Sequence, residues 1–139
     1  MPEIINSHTT GRPTILLVEE DNDLRPQLSR NLRKRGYRLL VAADLEDARD
    51  WVSGEGHIYA DLLLMNLIRR TPEEVVRLGR ELRNAAGYDG RTPLVVVPEK
   101  VPRELEGRDV NVSGNDWVCY FDDDSNQLQA LLARLLENA

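Results

Sequence analysis

Cysteine is close to absent from this chain, with Cys119 the single representative. No internal disulfide can form, which suits a reducing cytoplasm and leaves stability to burial. No apolar run approaches the roughly 18 residues of a membrane span. Residues 1–13 are polar and irregular and lack an apolar signal-peptide core, so a flexible N-terminal tail is expected there and one cytoplasmic domain over 14–139. Bases are in the minority: 18 Lys and Arg against 24 Asp and Glu give a net charge of −6. Gripping nucleic acid needs clustered cations to neutralise phosphates, so no direct nucleic-acid partner is expected. The same sign disfavours anionic membrane surfaces. Internal repeats and low-complexity blocks are missing as well.

What is present is an alternation. The 139 residues, 41% apolar and 30% charged, fit one globular domain. Ile15-Leu16-Leu17-Val18 is a continuous apolar run, followed by the acids Glu19-Glu20-Asp21. Leu24, Leu28 and Leu32 then recur at helical spacing up to Gly36, with Asp23 as the expected cap and Pro26 in the first turn. Arg38–Ala42 reads as a second strand, and Leu45, Ala48, Trp51 and Val52 as a helical stripe ending near Gly54 and Gly56. Leu62-Leu63-Leu64-Met65 is a third strand. Thr71-Pro72-Glu73-Glu74 carries the marks of a helix start: a capping Thr, Pro at the first position, and Glu three residues on. Pro93–Val97 predicts a fourth strand and Trp117–Tyr120 a fifth. Asp124 and Gln127 open a final helix striped with Leu128, Leu131, Leu132, Leu135 and Leu136. Lys100–Gly114 is left open, with room for one short helix around Arg103–Gly107.

Fully apolar strands alternating with amphipathic helices predict a parallel α/β sheet covered on both faces. Ligand and catalytic groups in such sheets gather beyond the carboxyl ends of the strands. The positions to watch are therefore Glu19, Glu20, Asn66, Pro98 and Tyr120.

At those positions the chain resembles the receiver domains of response regulators. ILLVEEDNDLR (15–25) is similar to the acidic turn after the family's first strand, and DLLLMNL (61–67) to the strand that ends in its phosphoacceptor. TPLVVVP (92–98) and NDWVCYF (115–121) fall where strands ending in Thr or Ser and in Lys-Pro are expected. The resemblance covers Pro13 to the end. It implies a flavodoxin-like, doubly wound, five-stranded parallel sheet of strand order 2-1-3-4-5. It also implies a phosphorylation switch, in which an aspartate takes a phosphoryl group beside Mg²⁺ held by acids, and a hydroxyl and an ammonium hold the phosphoryl oxygens.

Carried across residue by residue, the switch is incomplete. Glu19 and Glu20 stand in the acid-pair places, but Asn66 is at the phosphoacceptor place, Pro98 at the hydroxyl place and Tyr120 at the lysine place. An amide is a poor nucleophile, proline has no hydroxyl, and a phenol is uncharged at pH 7. The expectation is a degenerate receiver domain that acts through protein–protein contacts, with no catalytic residues and no enzymatic activity. Its implied partners are a histidine kinase, an output protein or a second copy of itself, and no cofactor is expected. Two alternatives stay open at Glu19, Glu20 and Asp21: a non-standard phosphoacceptor, or weak Mg²⁺ binding by Glu19 and Glu20. The bland reading there is a solvated acidic loop favoured by a helix dipole. Arg69 and Arg70 invite an internal ion pair with Glu19 or Glu20, against the plainer reading of two solvated arginines. In the family, the surface formed by the fourth helix, fifth strand and fifth helix docks partners, so Trp117, Asp123 and the last helix are expected on that face. A metal-dependent hydrolase is the weakest reading, because no His, Ser or Cys stands beside a base at the strand ends.

Overall fold

The computed structural model describes residues 12–53, 59–121 and 126–137. The elements run β1 (Thr14–Glu19), α1 (Leu24–Lys34), β2 (Arg38–Ala42), α2 (Leu45–Val52), β3 (Leu62–Asn66), α3 (Pro72–Ala85) and β4 (Leu94–Val96). A 3₁₀ turn (Arg103–Leu105), β5 (Arg108–Ser113), β6 (Asp116–Tyr120) and α4 (Asn126–Glu137) follow. The sheet has six strands in the order β2-β1-β3-β4-β6-β5. β2, β1, β3, β4 and β6 are parallel, and this is the expected order 2-1-3-4-5, with Asp116–Tyr120 as the expected fifth strand. β5 is the addition: it pairs antiparallel with β6 at the sheet edge.

Strand alternation sends side chains to two separate cores. On one face Leu16, Val18, Leu63, Met65 and Val96 pack with Ala48 and Val52 of α2 and Val75, Val76 and Leu82 of α3. On the other, Ile15, Leu17, Leu62, Leu64 and Val95 pack with Leu32 of α1 and Leu128, Leu131 and Leu132 of α4. Helices on both faces make the sheet doubly wound. They also explain why β1 and β3 read as unbroken apolar runs: both faces of those strands are covered.

The helix ends are built locally. Thr71 and Glu74 form the expected reciprocal capping box at α3, with Pro72 in its first turn. Gly36 (φ 94°) after α1 and Gly87 (φ 73°) after α3 take the left-handed conformation that lets the chain leave a helix. Asp23, the expected cap of α1, makes no capping bond. Asp21 does that work instead, accepting from Asp23 N at 2.8 Å and Leu24 N at 3.2 Å. The expected opening of the last helix at Asp124, and the loop glycines Gly54 and Gly56, lie outside the described residues.

The chain between β4 and β6 departs most from expectation. The short helix expected at Arg103–Gly107 is a single 3₁₀ turn, and the residues after it form β5, not loop. A six-residue antiparallel strand therefore occupies the segment where the resemblance implied the fourth helix of the partner-docking face.

Candidate functional site

The carboxyl ends of β1 and β3 lie side by side, with Glu19 opposite Asn66 in the parallel register. Glu19 is 1% exposed. Its Oε2 accepts from Asn66 Nδ2 at 2.8 Å and from Asp21 N at 3.0 Å. Burial pushes the Glu19 carboxyl up to about 7, against the lowering effect of those two hydrogen bonds. Near neutrality this carboxyl is therefore divided between charged and uncharged forms. Asn66 spends its amide N–H on Glu19, and its buried Oδ1 has no donor among the described residues.

Glu20 faces the other way along the edge. Its Oε1 accepts from Ile68 N at 2.7 Å, while its own N–H donates to Asn66 O at 3.2 Å. One residue further, Arg69 N donates to Glu99 Oε1 at 3.1 Å. Successive backbone N–H groups of the loop after β3 are thus held by carboxylates from the loops after β1 and β4. Arg69 takes φ 62°, a left-handed conformation rare outside glycine. Adjacent N–H groups in such a turn form an anion-accepting concavity, and here the protein's own carboxylates occupy its donors.

The expected ion pair of Arg69 or Arg70 with Glu19 or Glu20 does not form. Both arginines are exposed, and neither makes an ion pair among the described residues. The cation that reaches the acidic turn is Arg25, from the first turn of α1. Its Nη1 donates to the Glu19 carbonyl at 2.8 Å and its Nη2 to Asn22 Oδ1 at 2.7 Å. Sequence reading passed over Arg25 as one arginine in a helix. The signal available was its spacing of six residues from Glu19, a single turn and a reach.

The last rung shared by β3, β4 and β6 is Met65–Val96–Val118, and Pro98 and Tyr120 each follow it by two residues. Both Pro98 and Tyr120 are buried. Tyr120 packs with Val96 and Val118 on the α2–α3 side, whereas Asn66 has the alternation of Leu62 and Leu64, which face α1 and α4. Hydrogen bonds join Glu19, Glu20 and Asn66, and none joins Tyr120 to them. Desolvation, with the Glu73 carboxylate adding to it, pushes the Tyr120 phenol above its ordinary value, so it stays neutral.

Trp117 is half-buried on β6, its indole packed toward the α1–α4 core and the Arg134 guanidinium 5.4 Å from its ring centre. Its Nε1 is buried without a partner among the described residues. Asp123 lies outside the described residues. Cys119 is buried, and desolvation together with Asp109 pushes its thiol up to about 12, far from thiolate chemistry.

The polar centre that sequence reading missed is Asp116, 3% exposed at the start of β6. Arg80 Nε meets its Oδ2 at 2.6 Å and Arg83 Nη1 its Oδ1 at 2.7 Å, while Arg80 Nη2 donates to Ser113 Oγ. This network ties α3 to the β5–β6 hairpin. Two arginines three apart on a helix, with an acid opening a buried strand, were its only sequence signal.

Mg²⁺, which the receiver resemblance implies, finds a poor donor set. Among the described residues no three of His, Cys, Asp and Glu gather as a metal cluster. Glu19 is buried and partly protonated near neutrality, and Glu20 is engaged by Ile68 N–H. A hard dication wants several ionised, free oxygens.

No family model and no curated protein matches the chain. Solved structures do match its fold. A response regulator receiver protein from Sinorhizobium medicae WSM419 is similar at TM-score 0.67 and 17% identity, over 92% of this chain and 97% of that one. The receiver domain of the hybrid histidine kinase CckA is similar at TM-score 0.60 and 26% identity, over 88% and 98%. The response regulator TrrA from Thermotoga maritima, solved in complex with Mg²⁺-BeF, is similar at TM-score 0.62 and 17% identity, over 89% and 99%. The chain has the flavodoxin-like receiver fold, extended by one antiparallel edge strand.

Proposed function

We propose that the chain is a degenerate receiver module of two-component signalling that works by protein–protein contact, without aspartyl phosphorylation and without enzymatic activity. The observation that carries this reading is Asn66: the third strand ends in an amide already bound to Glu19, with no free carboxylate to attack phosphorus. Pro98 supplies no hydroxyl and the neutral Tyr120 phenol no cation, so developing charge on a transferred phosphoryl group would go unmet. The neighbouring loops are already drawn together by Glu20 and Glu99, contacts that need no phosphoryl group to form. Similarity to receiver domains supports signalling partners: a histidine kinase, an output protein or a second copy of this chain. Among the described residues no helix is long and apolar enough to cross a membrane.

The test is incubation with a small-molecule phosphodonor and Mg²⁺, followed by intact-mass measurement. The expected outcome is unmodified mass. A stable adduct of one phosphoryl group would overturn the proposal, and peptide mapping would show whether Glu19, Glu20 or Asp21 is a non-standard acceptor. Beryllofluoride with Mg²⁺, present in the T. maritima structure, is expected to leave the tryptophan fluorescence of this chain unchanged.

A further inference from the structure

A recess of about 480 Å³ opens between the loop after β3 and the loop after β4. That volume falls within the range of small-molecule sites. Pro72 and Pro98 give it rigid walls, and Arg69, Arg70 and Lys100 bring three cations to its lining. Two acids line it as well, each with one oxygen already engaged by a neighbouring loop or cap group. Glu74 Oε1 accepts from Thr71 N at 3.0 Å and from Thr71 Oγ1 at 3.3 Å, and Glu99 Oε1 accepts from Arg69 N at 3.1 Å. None of the three cations makes an ion pair or a side-chain hydrogen bond among the described residues, and all three are exposed. Three cations against two carboxylates leave the lining with one positive charge in excess. The cations cluster on a chain whose net charge is −6, so the local sign runs against the global one.

We infer that this recess binds a small phosphate-bearing anion, held by the guanidinium groups of Arg69 and Arg70 and the ammonium of Lys100. Planar guanidinium groups match phosphate oxygens two at a time, and the lysine contributes a compact charge. This binding is non-covalent and separate from Asn66, so it goes beyond the proposed function.

The probe is pyrophosphate, titrated into the ¹⁵N-labelled full chain at constant ionic strength, with inorganic phosphate, chloride and a short polyglutamate peptide as parallel titrants. Saturable amide shifts are expected at Arg69, Arg70, Glu99 and Lys100 with pyrophosphate, weaker with phosphate and absent with chloride. Arg69→Gly is the first variant, because glycine adopts φ 62° without strain and removes the guanidinium. Arg69→Gly with Arg70→Ala is expected to weaken pyrophosphate binding at least about tenfold, as loss of charge-assisted hydrogen bonds should. The inference is overturned by flat titrations, by equal shifts with chloride, by undiminished binding in the double variant, or by a response to polyglutamate alone. Unchanged intact mass at the end of the titration keeps the result apart from phosphoryl transfer. Phosphorylation in the donor assay would sink the proposed function and leave this site standing.

Discussion

Glu19 is where chemistry and stability meet most directly. Its carboxyl is raised from 4.5 to about 7 in the folded chain. Between those values the folded state holds a proton that the unfolded state has released, so this group makes stability fall as pH rises from about 4.5 to 7 and leaves the penalty in place above. The linkage is on the order of 3 kcal/mol. Glu19→Gln keeps an oxygen able to accept from Asp21 N and Asn66 Nδ2 and cannot ionise. Urea unfolding at pH 5 and pH 8 should show it more stable than the parent at the higher pH by about 2 kcal/mol, and a smaller decline across the interval. Equal slopes for both proteins would mean Glu19 titrates normally. Gly79 makes a second residue-scale case. A Cβ there would lie 2.7 Å from both Leu94 methyl carbons and 3.1 Å from Met65 Sδ. Alanine gains up to about 1 kcal/mol of helix propensity, but overpacking a closed core typically costs about 1–3 kcal/mol. Gly79→Ala is expected to lower the unfolding midpoint in urea, and Leu94→Val in the same chain to recover part of the loss.

Among the elements, the β5–β6 hairpin is held by a charge centre. Asp116→Asn would leave Arg83, whose side chain is 11% exposed, without its counter-charge. Stranding a buried ion costs about 3 kcal/mol or more. Hydrogen exchange should accelerate across Arg108–Ser113 more than in β1 or β3; uniform acceleration would show that the network does not anchor the hairpin in particular. The hairpin also marks where the sequence stopped being legible. β1, β3 and α3 announce themselves because local pattern and tertiary burial agree: unbroken apolar runs, and a capping box beginning at Thr71. Arg108–Ser113 alternates weakly, keeps both valines off the deep core and ends at Gly114, so nothing local separates an edge strand from a loop. Only pairing with β6 decides it, and pairing is a tertiary fact. Arg69 and Arg70 fail for a related reason. Proximity in sequence to an acidic cluster suggests a pair, but the left-handed turn at Arg69 belongs to a loop tied down through its backbone N–H groups, and both side chains are left exposed.

On the scale of the whole molecule, the groups that a phosphorylation switch needs come from β1, β3, β4 and β6, and replacements fall on the last three together. Residue types at those positions were readable from the sequence, as was the sheet edge that collects them. Their side-chain directions were not, since Tyr120 turns to the α2–α3 core while Asn66 turns to Glu19. A single reversion should therefore not rebuild the switch. Asn66→Asp would also bring a second carboxyl within hydrogen-bonding range of buried Glu19, raising the cost of charging either. Intact mass after a short incubation with phosphodonor and Mg²⁺ is expected to show little or no adduct on Asn66→Asp. Rapid labelling of that variant would mean Pro98 and Tyr120 matter less than their chemistry suggests.

The outermost strand has a consequence for how crowded copies behave. Its pairing with β6 slips between Asn111 and Ser113, and Asn111 Nδ2 reaches across to the carbonyls of Gly114 and Asp116 at 3.0 and 3.2 Å. A foreign segment arriving at that border meets a short straight run and then a kink, with no continuous track of donors and acceptors to copy. A rim strand interrupted in this way is a poor template for edge-to-edge pairing.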